Sequence, residues 1–289
     1  MVEIIVGELK SKFDTLFIFV SQIAYSRKHP IRIVQACKSL VGINPSNPSI
    51  VFLKWIERYL GGFNPSFDQP ALDIKTALPE IMTYSHLKNL IVEKKEKDAH
   101  DYLGYLLQIA GPHHIAEYLI ELAASQSAGG LLFCWSAIRS IQFVGEQDGY
   151  PILYHCISEL IEQEKRDIKT NENSLERYEI CCHQFQICDS KMVRSRTIIP
   201  YIDQLIKTIE STFIQSEFPY LPEKLIKMIH QEGVRGIHSY LNGIELEEID
   251  LELVLMLDAL RSVLKFSSLS HDKILSGMFI SSGKKINAK

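Results

Sequence analysis

Apolar residues recur along this chain at intervals of three and four. Leu251, Val254, Leu255, Leu257, Leu260 and Val263 share one face of a helix over 250–266, as an amphipathic helix requires. The same period predicts helices over 3–25, 30–42, 48–60, 79–96, 97–110, 112–125, 130–144, 151–168, 173–189, 196–215, 222–231 and 234–241. Pro30, Pro48, Pro79, Pro112, Pro151 and Pro222 stand at the starts, where a missing N–H costs nothing. Gly61-Gly62, Gly111, Gly129-Gly130, Gly149 and Gly243 supply breaks, since glycine readily takes turn conformations. No segment alternates with period two between turn signals, which a half-buried strand would show. An all-α fold of about 12–13 helices is expected, arranged as a multi-helical array of αα-hairpins with no sheet.

The starts at Pro79, Pro112 and Pro151 are spaced by about one helical hairpin each. The hairpins share no consensus, so the rhythm is repeat-like without being a strict solenoid. One large helical domain over 1–280 is expected, with subdomain breaks near 61–70 and 169–174. The small, polar and basic tail over 281–289 reads as disordered.

Composition narrows the classes. Hydrophobic residues make up 46% of the 289, enough for a substantial core without staples. The 31 basic and 35 acidic residues are interspersed, with a formal charge of −4, which is no footprint of a nucleic-acid binder. Cys37, Cys134, Cys156, Cys181, Cys182 and Cys188 are scattered, and reduced thiols are the expectation. The N-terminal run Leu16-Phe17-Ile18-Phe19-Val20 is too short to span a bilayer and has no small-residue cleavage site after it. A cytoplasmic location is expected, though secretion without a signal would leave no such mark.

The chemical hint is histidine and carboxylate one helical turn apart, at Glu96/His100, His113/Glu117, His155/Glu159 and Glu179/His183. Residues four apart share a helix face, and imidazole with carboxylate is the material of metal sites and acid–base catalysis. Against the stripe Ile152, Leu153, Cys156, Ile157, Leu160 and Ile161, His155 and Glu159 fall on the polar side. The same face assignment holds for His113/Glu117 and Glu179/His183, whereas His100 lies nearer its apolar stripe. Such pairs read as solvated surface pairs worth tenths of a kcal/mol each, or else as the lining of a wet, concave site. The i,i+3 spacing of a ferritin-like di-iron site is missing. Gly145-Glu146-Gln147-Asp148-Gly149 lacks EF-hand spacing and reads as a turn. No nucleophile elbow or phosphate loop is present. Trp55, Tyr59, Tyr102, Tyr105, Tyr118, Phe133, Trp135 and Tyr154 occur at core-compatible spacing.

Lys28-His29-Pro30-Ile31-Arg32-Ile33-Val34-Gln35-Ala36-Cys37-Lys38-Ser39-Leu40-Val41-Gly42, followed by Trp55-Ile56-Glu57-Arg58-Tyr59, resembles the N-terminal signature of the questin oxidase-like family. Asp98-Ala99-His100 and Leu153-Tyr154-His155-Cys156-Ile157-Ser158 are similar to two further histidine-bearing helices of that family, and His183 before Cys188 to a fourth. The likeness spans roughly 28–190. Lys28 stands where asparagine is frequent, and Glu93 near a place where an upstream histidine is expected.

The resemblance implies a largely helical fold and an oxidoreductase acting on an aromatic or quinone-type small molecule, with His29, His100, His155 and His183 as catalytic candidates. NADPH or a redox metal would be the cofactor to expect, and Glu96, Glu159 and Glu179 would orient the rings. This reading requires His29, His100 and His155 to converge within about one side-chain reach of a common cavity. The competing expectation is a helical scaffold that binds a partner protein in a groove, its histidines merely solvated.

Overall fold

A computed structural model describes residues 2–26, 29–65, 81–164, 174–190, 200, 203–204, 221–268 and 274. Most of the predicted helix over 196–215, most of the break at 169–174, residues 66–70 of the other break and the tail over 281–289 lie outside the described residues.

The apolar stretch after Ser127 forms the central helix. Ala128–Val144 is buried on every side from Gly130 to Ile141, and a helix apolar all round is stable only when neighbours enclose it. The described helices before it are α1 (Val2–Ser21), α2 (Ile31–Val41), α3 (Ile50–Leu60), α4 (Tyr84–Val92), α5 (Glu96–Leu106) and α6 (Pro112–Gln126). The central helix is α7. After it come α8 (Gly149–Glu164), α9 (Ser174–Asp189), α10 (Glu223–Glu232), α11 (Arg235–Leu241) and α12 (Leu251–Phe266). Two short 3-10 turns, Glu146–Asp148 and Leu246–Glu248, complete the elements. The described residues form no strand. All-α architecture follows.

Helix α7 packs against α2, α6, α8 and α9, and α12 closes over α9 and α2. Buried side chains from all twelve helices join one hydrophobic cluster that includes Phe17, Leu40, Phe52, Leu103, Trp135, Ile157, Tyr178 and Leu257. Side-chain caps set several starts. Ser127 accepts from the Gly130 N–H at 3.1 Å, Thr83 from His86 at 3.2 Å and Asp250 from Leu253 at 2.8 Å, each offsetting an orphan donor of a first turn.

The helix expected over 79–96 is shorter in its described part. Helix α4 stops at Val92 because Lys94 takes the left-handed conformation, φ 60°, which turns the chain into α5. The acidic turn after α7 opens with Gly145 at φ 98°, a conformation suited to glycine. No helix of the described residues is long and apolar enough to cross a membrane.

Candidate functional site

The chain leaves α1 at Ser21 with backbone carbonyls that have no partner inside the helix. Two imidazoles answer them. His155, on α8, donates its Nε2 proton to the Ser21 carbonyl at 3.0 Å, and His29, just before α2, lies with Nε2 3.3 Å from the Ile23 carbonyl. A carbonyl only accepts, so both rings carry their proton on Nε2. The Ile31 N–H lies 3.4 Å from His29 Nδ1, which accepts from it. The two rings lie 4.2 Å apart between centroids, tilted by 38°.

Aromatic groups enclose this pair. Tyr25 stacks beside His29 at 6.4 Å, and Phe133 of α7 meets the edges of both at 6.3 and 6.0 Å. The Tyr25 hydroxyl donates to Glu159 Oε2, and the Gln163 amide donates to Glu159 Oε1. Glu159 is buried while Tyr25 is half-buried, next to exposed Ala24 and Ser26. The Tyr25 hydroxyl proton therefore has a buried carboxylate behind it.

His100 joins from α5. Its ring stacks on Tyr154 at 3.5 Å, and its Nε2 lies 3.2 Å from the Tyr154 carbonyl and 3.2 Å from the Ser158 hydroxyl. Ser158 in turn donates to Glu96 at 3.4 Å. Tyr154 touches His155 edge-on at 6.0 Å, so a continuous run of rings links His100, Tyr154, His155 and His29.

Burial sets the charge state. It pushes His29 down to about 3, with His155 adding to the effect, and both His155 and His100 down to about 4. All three are neutral at physiological pH and present one donor and one acceptor nitrogen each.

His183 lies elsewhere. On α9 its Nδ1 is 2.9 Å from the Ser262 hydroxyl and its Nε2 is 3.9 Å from Asp258. Asp258 is gripped by Arg139 at 2.9 and 3.1 Å and by Arg261 at 3.1 Å. Burial holds His183 down to about 3. Of the four candidate histidines, three converge and the fourth belongs to this second polar network between α7, α9 and α12.

The face assignment of two pairs is corrected. His155, Glu159, Glu179 and His183 were expected on polar, solvated sides, yet they are 0, 6, 2 and 3% exposed. The reason is that α8 and α9 are covered on more than one side, so their polar stripes face other helices. Each group then bonds across helices, Glu159 with Tyr25 and Glu179 with Arg32 at 2.7 Å. His113, half-buried, faces Glu146 at 2.5 Å. Sequence reasoning missed Tyr25, Gln163, Ser158 and Arg32 at these sites. It also missed Arg139, Asp258 and Arg261, whose signal was available: charged residues inside the otherwise apolar runs of α7 and α12.

Among the described residues, no three of His, Cys, Asp and Glu are grouped as ligands of a metal ion. The three converging imidazoles direct Nε2 at backbone carbonyls, which does not suit a redox metal. No family model, curated protein or solved structure matches this chain.

Proposed function

We propose that the chain is an oxidoreductase acting on a planar aromatic or quinone-type small molecule at the cluster of Tyr25, His29, His155 and Glu159. The observation that supports this reading is the convergence of His29, His100 and His155, from three separate parts of the chain, on one aromatic-lined region. Tyr25, the half-buried ring of the cluster, gives a flat ring a face to stack on, with Phe133 and the imidazoles buried behind it. Glu159 is the base that accepts a proton through the Tyr25 hydroxyl, and neutral imidazole supplies a hydrogen bond to a ring oxygen. In the simplest such reaction a hydroquinone loses two protons and two electrons. Dioxygen takes both and leaves as hydrogen peroxide.

The experiment is oxygen uptake with a panel of anthraquinols and naphthoquinols, comparing the native chain with Tyr25→Phe and Glu159→Gln. The expected result is catalysed uptake that falls by about a hundredfold or more in each variant, the usual size of an acid–base contribution. Uptake indistinguishable from the uncatalysed rate, or unaffected by both substitutions, ends this reading.

A second reading is a scaffold that holds a partner's segment, and a different observation favours it. An open groove of about 780 Å³ runs between α4 and α5, lined by Ile81, Thr83, His86, Asp98, Tyr102 and Tyr105 among others. A wide, mixed polar and aromatic groove suits a peptide better than a buried small molecule.

A further inference from the structure

The polar network around Asp258 is short of negative charge. One carboxylate faces two guanidiniums: Arg139 is bidentate on it, and Arg261 reaches it through Nε alone. Arg139 is 4% and Arg261 6% exposed, so both cations are largely removed from water. The second amino nitrogen of Arg139 also donates to Ser39. The two terminal nitrogens of Arg261 make no hydrogen bond among the described residues.

A third cation lies on α2. The Lys38 ammonium sits over the Phe143 ring at 4.8 Å and has no carboxylate partner among the described residues. Burial and the nearby Arg139 push it down to about 7, with Arg261 acting in the same sense and Asp258 alone opposing. Gln35 and Ser39 on α2, Ser140 on α7, Ser262 on α12, and His183 and Gln186 on α9 are neutral, and the neighbouring charges, Arg32 and Glu179, are paired with each other at 2.7 Å. Apart from that ion pair, Arg139, Arg261 and the partly protonated Lys38 stand against Asp258.

Buried cations are costly unless paired, and an unbonded pair of guanidinium N–H groups is the fork that grips two oxygens of one anion. We propose that the seam between α2 and α12, bounded by Lys38, Arg139 and Arg261 beside Phe143, binds a small oxyanion, the carboxylate or phosphate group of a metabolite-sized ligand. The two free nitrogens of Arg261 take two of its oxygens and Lys38 supplies a point charge. Asp258 keeps the arginines in place and repels the ligand enough to make it exchangeable. The site is separate from the His29–His155 cluster and does not depend on its chemistry.

The test is thermal unfolding of the full chain at pH 7 and constant ionic strength, with inorganic phosphate or succinate substituted for chloride. At a hundredfold excess over Kd the expected rise in Tm over chloride is roughly 5 °C or more. The two arms tell phosphate from carboxylate. The rise is lost in Arg261→Gln and in Lys38→Met. No rise over chloride with either anion, or a rise that persists in Lys38→Met, overturns the proposal. Lys38→Met keeps the test decisive should Arg261→Gln fail to fold, because no carboxylate holds the Lys38 ammonium.

Discussion

The rings of His29 and His155 lie 4.2 Å apart, and each gives its Nε2 proton to a carbonyl at the end of α1. Two imidazoles so placed serve structure and chemistry together: they cap a helix that has no glycine to close it, and they remain uncharged side by side.

Stability should therefore fall in mild acid. His29, His100, His155 and His183 are all held below the ordinary histidine value in the folded chain, so the unfolded chain binds more protons below about pH 6.5. The stability they confer is complete above that pH and is lost as pH falls towards 4 and 3, by at most about 1.4 kcal/mol per pH unit per ring. Glu179 works the other way, because burial lifts it to about 6 and the folded chain takes up its proton between about 6 and 4.5. The histidines outnumber it. Urea midpoints should be lower at pH 5.5 than at pH 7.5, and His155→Gln should make that dependence shallower. An unchanged slope in His155→Gln would show that this ring titrates as if in water.

Removing the shared carboxylate should be severe. Asp258→Asn leaves Arg139 and Arg261 buried with no anion, and breaking such a pair costs about 3–5 kcal/mol. The double variant Arg139→Met with Asp258→Leu should cost less than the sum of its parts, since both charges leave together. Urea titration of the four proteins gives the coupling. Simple additivity would contradict the geometry.

Two glycines should respond in opposite senses to alanine. A Cβ at Gly236 would collide with the backbone of Met228 and Ile229, atoms that cannot swing aside, so Gly236→Ala should separate α10 from α11 and cost about 1–3 kcal/mol or more. At Gly7, exposed on α1, a Cβ meets nothing within 4 Å. Gly7→Ala should stabilise by up to about 1 kcal/mol. Differential scanning calorimetry on both variants compares the two shifts directly.

Helix positions were legible because they depend on neighbours three and four apart. Pro112 opens α6 where expected, and Pro30 and Pro222 directly precede α2 and α10, whereas the helix expected over 79–96 begins, in its described part, only at Tyr84, where Thr83 caps it. Facing was not legible. The stripe Ile152, Cys156 and Leu160 describes one buried side of α8, and the covering of its opposite side by α1 and α5 comes from residues distant in the chain. Arg139 meets Asp258 across 119 positions, a pairing that local spacing does not encode. The resemblance grouped His183 with His29 and His155, and only packing separates them: α9 turns His183 towards α12, while α8 turns His155 towards α1.

The enclosure of α7 has a kinetic consequence. Its neighbours α2 and α9 come from opposite sides of it in the chain, and the helix that closes over both is α12. The central helix therefore cannot be shielded from water by the segments nearest to it alone. Loop closure over long distances must precede the reward of burial, so refolding should be slow for a helical protein. During synthesis, the Arg139–Asp258 clamp cannot form until α12, the last of these helices, has been made.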